Sequence, residues 1–255
     1  TISLLALRLR AMASTAAPPV RIVPHPTIEL LRTASLSSAA QQEIERMILD
    51  GEIGPGSKLT EAWLSGRLGV SRGPIREAFR MLEESGLVRQ EKNRGVFVRD
   101  IPLEEALEIY DLRAAMDELV GRRLAETITP DQLKTARAIV ERMDAAARAG
   151  DSDAYHLLNL EFHDALVGFT GNRKLAGVYR KLVKELALFR RRNLRDQQLL
   201  PHSAAEHRGI LKAIAAGDPE LAGRTMFEHV MESRERARKS EGVRLPVRPR
   251  AARKG

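Results

Sequence analysis

The stretch LGVSRGPIREAFRMLEESGLV, residues Leu68–Val88, carries the strongest structural signal in this chain. Gly69 permits a sharp turn between a helix that ends before it and a helix that begins after it. Ser71 is a residue type that caps the start of a helix, and Pro74 fits a first helical turn, where its missing N–H needs no partner. The stretch therefore predicts two helices joined by a tight turn, the second over residues 72–85.

The second of these helices has two chemically different faces. Its apolar residues recur at helical spacing and predict a buried stripe: Ile75, Phe79 and Leu82. The opposite face carries arginines four residues apart, Arg72, Arg76 and Arg80. A recognition helix in the DNA major groove needs this combination, with the early positions closest to the bases. Arginines on an isolated helix are also found on merely solvated faces, so the context of the helix decides between the two interpretations.

The neighbouring segments extend the pattern to a winged helix-turn-helix. Residues 36–50 and 61–68 have helical periodicity and precede the tight turn. Two short β-like runs, 87–90 and 96–99, follow and are joined by a KNRG turn that indicates a hairpin. In such a wing Gly95 would let the backbone approach a DNA groove or phosphate closely. We assign residues 35–100 to a winged helix-turn-helix domain.

The remainder of the chain predicts helices alone. We place them at 103–127, 131–148, 152–169, 173–198, 203–216 and 219–240. Thr129 and Gln132 have the spacing of a capping box, and Asp151 and Asp218 are good N-caps. The connections are short, which predicts antiparallel neighbours. The fold is therefore mainly α, with the winged domain followed by an all-α antiparallel helical bundle over residues 101–240.

The net charge of +8 is concentrated at the two ends of the chain. Residues 1–35 carry +3 and residues 234–255 carry +7, which leaves about −2 for the folded middle. We expect residues 1–34 to be a disordered extension and residues 241–255 to be a disordered basic tail. The pI alone is therefore weak support for nucleic-acid binding.

Cysteine is absent, which excludes disulfides and thiolate metal sites and suits a reducing cytoplasm. The apolar run at the start precedes Arg8 and Arg10, the reverse of a secretory signal, and is too short to span a bilayer. We expect a cytoplasmic protein with no membrane segment.

Three histidines in the bundle have a pattern that leaves two interpretations open. Asn159 and His163 lie four residues apart on one helix face, and His207 and His229 come from two further helices. One amide oxygen and three imidazoles from three helices can converge on a divalent metal. Helical histidines are, however, more often surface or interfacial residues than ligands, and these spacings match no local metal motif.

The winged segment resembles the DNA-binding domain of the GntR family of bacterial transcription regulators. Residues 37–99 contain DGEIGPGSKLTE, LGVSRGPIREAF, LEESGLV and NRGVFV in the family's order. The resemblance implies DNA contacts from Ser71, Arg72 and Arg76 in the recognition helix and from Arg94 and Gly95 in the wing. Position 62 is Ala where some relatives carry a DNA-contacting arginine, so that contact is not expected.

The bundle resembles the FCD effector domain of the FadR-like branch of the same family. This resemblance implies a metal on an Asp-x-x-x-His pair and two later histidines, and His163, His207 and His229 match. Asn159 stands at the aspartate position, and its neutral amide is a poorer ligand than a carboxylate. Zinc is the metal expected first, with nickel or manganese as alternatives.

Neutral ligands would leave the ion its full +2 charge, so we hypothesise a small carboxylate as the effector. Arg113 follows Tyr110 by one turn in the first bundle helix and could clamp that carboxylate. An intrahelical pair of Arg113 with Asp117 is an equal alternative.

These observations predict a sequence-specific, effector-controlled transcription regulator that is not an enzyme. We expect a homodimer on a pseudo-palindromic operator, with the linker near Asp100–Pro102 passing the effector signal between domains. Two alternatives remain: a metal-dependent enzyme on the bundle, and a nonspecific architectural DNA-binding protein that uses the basic tail. No phosphate-binding loop, nucleophile elbow or metalloprotease helix favours the enzyme.

Overall fold

The computed structural model describes residues 26–193 and 200–242, which are mostly helical. The N-terminal elements are α1 (Pro26–Leu49), β1 (Lys58–Leu59), α2 (Glu61–Leu68), α3 (Arg72–Glu84), β2 (Val88–Glu91) and β3 (Gly95–Val98). The C-terminal elements are α4 (Leu103–Thr127), α5 (Pro130–Ala149), α6 (Ser152–Phe169), α7 (Arg173–Asn193), α8 (Leu200–Ala215) and α9 (Pro219–Gly242). The predicted class, a winged helix-turn-helix followed by an all-α bundle, is confirmed.

The turn between α2 and α3 forms at Gly69. Its φ of 68° lies in the left-handed region, and its N–H donates to Ser65 O at 3.1 Å. Leu64 of α2 and Ile75 and Leu82 of α3 are fully buried beneath the turn. Because these residues fix the inner face of α3, its arginine face points outward, as the apolar spacing predicts.

The wing is a three-stranded antiparallel sheet in the order β1-β3-β2. Val88 pairs with Val98, which confirms the predicted hairpin, while Lys58 pairs with Phe97. β1 was not predicted, because it is two residues long and directly follows the turn residues of the EIGPGSKL segment. β1 is recognisable as a strand only through its antiparallel pairing with β3.

α1 begins at Pro26, ten residues before the predicted start of the first helix at 36. The expectation that residues 1–34 lie outside the fold is therefore wrong for 26–34; residues 1–25 and 243–255 are outside the described part of the chain. Once a helix has formed, each further residue that becomes ordered adds one hydrogen bond, so extending a helix costs less than starting one. The buried segment around Ile44 therefore supports a helix that extends back to Pro26. Proline fits that first position.

The bundle packs most closely where α4 meets α9. A Cβ on Gly121 of α4 would lie 2.5 Å from Ala222 O of α9, so only glycine allows this approach. The predicted starts of α5 and α6 are confirmed to within one residue, since Thr129 and Gln132 form the capping box and Asp151 caps α6. α8 is described from Leu200, three residues before its predicted start. None of the described helices is long and apolar enough to cross a membrane.

The apolar core of the winged domain continues into the bundle. One buried cluster joins Ile44 and Leu82 of the winged domain to Tyr110 of α4 and Phe189 of α7. A second cluster fills the distal bundle around Phe162. The two domains therefore share apolar contacts in addition to the covalent linker.

Candidate DNA-binding surface and candidate metal centre

The N-terminal end of α3 carries the residues predicted to contact DNA. Ser71, Arg72 and Arg76 are all exposed. Ser71 occupies the N-cap position, but its side chain makes no capping hydrogen bond, so the predicted cap through this hydroxyl is wrong. The Ser71 hydroxyl is thus not committed to the α3 backbone, and hydroxyls at such positions commonly bind phosphate oxygens.

Arg76 is oriented by a carboxylate from α2. Its Nε and Nη2 donate to the two oxygens of Glu61 at 3.0 and 3.1 Å. The guanidinium holds the pKa of the Glu61 carboxyl below its ordinary value. Arg80, one turn later, pairs instead with Glu77 of α3 at 2.9 Å. The pair of Glu61 with Arg76 therefore links α2 to α3 and holds Arg76 on the exposed face of α3, the face that a recognition helix turns to the major groove.

The wing hairpin presents Arg94 close to its tip. The side chain is 71% exposed, is ion-paired with Glu91 and lies 5.6 Å from the centroid of the Phe97 ring. Gly95 has a φ of 110°, and a Cβ there would lie 3.1 Å from Lys58 Cε. The positive φ favours glycine at this position, and contact of Gly95 with DNA stays a prediction.

The bundle brings together the three histidines selected from the sequence: His163 of α6, His207 of α8 and His229 of α9. We call them the histidine cluster. All three are buried, their ring centroids are 4.6–5.4 Å apart, and one ring nitrogen of each lies within 4.8 Å of the others. Burial lowers the pKa of each imidazole well below its ordinary value. The rings are therefore neutral at pH 7, the form that binds a metal.

Two members of the histidine cluster have a strong hydrogen-bond partner on Nδ1. His229 Nδ1 lies 2.7 Å from Glu206 Oε2, and His207 Nδ1 lies 2.6 Å from Ser203 O. Both partners are acceptors, so the ring proton resides on Nδ1 and the lone pair on Nε2. Metal-binding histidines in proteins are commonly fixed in this way.

One nitrogen of each ring in the cluster lies within 4.8 Å of the other two, and two of the Nε2 atoms are closer still. His229 Nε2 lies 3.3 Å from His163 Nε2, close to the ~3.3 Å edge of a tetrahedron with metal–nitrogen bonds of about 2.0–2.1 Å. His163 Nδ1 lies 3.4 Å from Asp117 Oδ1 but makes no hydrogen bond within the described part of the chain, so no partner fixes the proton on this ring. Among the described residues His207 Nε2 is buried with no hydrogen-bond partner. A cation would satisfy all three lone pairs, so these residues fit a divalent metal.

Asn159 lies one helical turn before His163 on α6 and is half-buried. That placement agrees with the predicted ligand position, and coordination by Asn159 stays a prediction.

Arg113 is buried on α4 and is linked to the histidine cluster through Asp117. Its Nη2 donates to Tyr179 Oη at 2.7 Å and lies 3.4 Å from Asp117 Oδ2. The intrahelical pair weighed against an effector role is therefore present. Arg113 Nε, however, is buried and has no partner in the part of the chain that the structure describes. One buried cationic donor is thus left for a ligand beside the cluster.

Two residues beside the cluster were not predicted from the sequence, Tyr179 and Glu206. Tyr179 of α7 donates to Asp117 Oδ2 at 3.2 Å, and no sequence signal connects these two residues. Glu206 adjoins His207 in the chain, and because neighbours on a helix point in different directions, this position does not by itself suggest a role at the cluster. In the structure Glu206 reaches His229 on the neighbouring helix.

Comparisons with known protein families match both parts of the chain. Residues 36–98 match the model described as bacterial regulatory proteins, gntR family. Residues 108–232 match the model of the FCD domain.

Individual relatives cover most of the chain. The uncharacterized HTH-type transcriptional regulator YdhC of Bacillus subtilis is 27% identical over 188 residues, 73% of this chain and 84% of that protein. The probable D-xylose utilization operon transcriptional repressor of Paenarthrobacter nicotinovorans is 29% identical over 204 residues, 80% of this chain and 89% of that protein. A solved GntR transcriptional regulator from Rhodococcus sp. RHA1 has a TM-score of 0.69 and 26% identity, and the match covers 83% of this chain and all of that one.

Proposed function

The chain belongs to the GntR family of DNA-binding transcription regulators, with an FCD domain after its winged helix, and on that premise we propose how it is controlled. A homodimer binds a pseudo-palindromic operator, and a small carboxylate held near a divalent metal in the FCD domain changes the affinity for that operator. DNA is contacted by Ser71, Arg72 and Arg76 in α3 and by Arg94 and Gly95 in the wing. Two-fold operators match a two-fold protein, which is why a dimer is proposed.

The convergence of three neutral imidazole nitrogens, each within 4.8 Å of the other two, is the observation that carries this proposal. His163, His207 and His229 would hold the ion, and Asn159 would add an oxygen ligand. Zinc is proposed first, because imidazole nitrogens suit it, with nickel or manganese as alternatives. When bound, the ion supplies a fixed positive charge with open coordination positions.

The charges around the cluster support an anionic effector. The proposed ligands are uncharged, so they do not neutralise the ion. Arg113 adds a cation with an unpaired buried Nε, and it is partly balanced by Asp117 at 3.4 Å. A small carboxylate would be attracted by the charge of the ion, and it would accept a hydrogen bond from the guanidinium. An uncharged analogue would have neither the attraction to the ion nor the charged hydrogen bond with Arg113.

The effector acts by shifting the population of arrangements that can bind DNA. The linker at Asp100–Pro102 is one route between the domains, and the shared apolar core is a second. Glu206 accepts from His229 on the side away from the converging Nε2 atoms, so it is not placed as a general base beside an ion. This arrangement favours a binding role over catalysis.

Elemental analysis of the purified protein tests the metal. We expect about one zinc per chain in the wild type and a loss of metal in His207→Ala, because a three-histidine set cannot hold zinc without one member. His156→Ala is the matched control, since His156 is an exposed histidine on α6 outside the cluster. Equal metal content in all three proteins would overturn the assignment.

Thermal shift with small hydroxycarboxylates and with the uncharged amide of each tests the effector class. Stabilisation by the carboxylates alone is expected in the zinc-loaded protein, since ligands that bind only the folded state raise its stability. Equal stabilisation by acids and amides would contradict a carboxylate site.

A further inference from the structure

Glu206 connects the histidine cluster to the protein surface. One carboxylate oxygen, Oε2, lies 2.7 Å from His229 Nδ1. The other, Oε1, accepts from Arg236 Nη1 at 2.9 Å and lies 2.9 Å from His202 Nε2. The Glu206 side chain is 10% exposed, whereas that of His202 is 62% exposed. The carboxylate therefore has a buried partner on one side and surface partners on the other.

The ion pair with Arg236 fixes both the charge and the direction of this carboxylate. A carboxylate beside a guanidinium stays ionised, and an ionised carboxylate only accepts hydrogen bonds. His229 must therefore donate from Nδ1, which leaves its Nε2 as an acceptor facing His163. Without Glu206, the more common Nε2–H form of the ring would compete and would point a proton at the centre of the cluster.

We propose that Glu206 is a positioning residue of the metal centre, holding His229 in the tautomer whose Nε2 binds the ion. The proposal rests on the metal-dependent function proposed above and deepens it. A negative charge against Nδ1 also makes the imidazole a stronger donor to a cation. Arg236 keeps the carboxylate in place from outside.

The other two histidines face groups that are harder to replace singly. His207 uses the backbone carbonyl of Ser203. Asp117, opposite His163, is fully buried and is shared with Arg113 and Tyr179, so its removal would disturb a whole network. Glu206 is therefore the residue at which positioning can be tested with the least structural change.

Zinc affinity, measured by competition with a chromogenic chelator, is the first test. We expect Glu206→Leu to weaken zinc binding about 10- to 100-fold, as loss of a carboxylate behind a metal-bound histidine typically does. Glu206→Gln, which keeps an acceptor but loses the charge, should fall between Leu and wild type. Glu235→Gln is the matched control, because Glu235 of α9 pairs with Arg238 at 2.9 Å and not with Glu206 or His229, and the zinc affinity of this variant should be unchanged.

Nitrogen-15 NMR of the histidine rings in the metal-free protein is the second test, and it needs no zinc. The His229 ring should carry its proton on Nδ1 in the wild type and shift toward the Nε2–H form in Glu206→Leu. If the wild type binds no zinc but the His229 tautomer still shifts in Glu206→Leu, the proposed metal-dependent function is wrong, while the role of Glu206 in positioning His229 stands. If neither the tautomer nor zinc affinity changes in Glu206→Leu, the proposal is overturned.

Discussion

Asn159 is the residue of the proposed metal centre whose chemistry departs furthest from what a divalent ion prefers. It lies one turn before His163 and offers a neutral amide where a carboxylate would bind more strongly. Asparagine in place of aspartate has two opposite consequences for the proposed site. It weakens the hold on the ion, and it leaves the ion more charge with which to attract an anion.

Asn159→Asp separates these two consequences. We expect higher zinc affinity, because a charged oxygen replaces a neutral one, and weaker carboxylate binding, because the loaded site loses one positive charge. Chelator competition measures the first and isothermal titration calorimetry the second. Asn159→Ala is the control for simple loss of the amide. Unchanged zinc affinity in Asn159→Asp would mean that position 159 does not face the ion.

At this same scale the sequence predicted the members of the histidine cluster better than the groups that contact them. His163, His207 and His229 were selected from residue type and family resemblance, and the structure does bring them together. Glu206 and Tyr179 meet the site only through contacts between helices. Such contacts depend on how helices cross and rotate, which periodicity along one helix does not encode.

At the scale of elements, α3 combines a buried stripe with an outward arginine row. Arg76 and Arg80 both lie on the exposed face, but Arg76 is one turn nearer the N-terminal end and is oriented by Glu61 of α2. The N-terminal residues of a recognition helix contact base edges in the usual docking of this motif. The two arginines should therefore contribute differently to operator binding.

Arg76→Ala should weaken binding to the selected operator by about 1–3 kcal/mol and relax its sequence preference. Arg80→Ala should weaken operator and scrambled DNA to a similar, smaller extent, since a phosphate contact carries no sequence information. Fluorescence anisotropy, with operators selected in vitro from random duplexes, measures both. A purely uniform loss in Arg76→Ala would contradict a base-reading role.

α7 is the helix that contacts both sites. Tyr179 bonds with Arg113 beside the histidine cluster. Less than two turns later, Glu185 pairs with Arg99 at the end of the wing at 3.2 Å, and Arg99 donates to Gly86 O just after α3 at 3.1 Å. We therefore propose that a displacement of α7 at Tyr179 would be passed through these contacts to the segment that carries the recognition helix. This route complements the covalent linker.

Glu185→Gln should reduce the change in operator affinity that the effector causes, while zinc binding stays intact. The physical reason is that the charged contact from α7 to Arg99 is lost, so the two sites are coupled less strongly. Arg180→Ala is the matched control, because Arg180 pairs with Asp164 on the exposed side of the same helix. An undiminished effector response in Glu185→Gln would exclude this route.

Element boundaries were predicted where a local signal marks them. The capping box at Thr129 and the cap at Asp151 gave the starts of α5 and α6 to within one residue. The start of α1 at Pro26 and the short β1 were missed. Both depend on support from elsewhere in the fold, namely a packed helix to extend and a neighbouring strand to pair with.

For the molecule as a whole, positive charge is concentrated at the chain ends while the middle is nearly neutral. This distribution makes it possible to test which of two modes of DNA binding the protein uses. A regulator reads its operator through α3 and the wing, whereas an architectural protein would rely on the basic tail. Removing residues 241–255 should therefore cost the regulator only part of its affinity and none of its sequence preference. Anisotropy titrations over a range of salt concentrations measure this. Loss of all specific binding would favour the architectural alternative.

The most direct test of a metal-anchored effector site that controls DNA binding is an operator titration with and without the carboxylate found by thermal shift. In the zinc-loaded wild type we predict a change of operator Kd of about 5- to 150-fold, the usual range of allosteric coupling. The change should vanish in metal-stripped protein and in His207→Ala, while both keep their preference for operator over scrambled DNA. An equal carboxylate response in all three proteins would show that the effector acts elsewhere and would contradict the account.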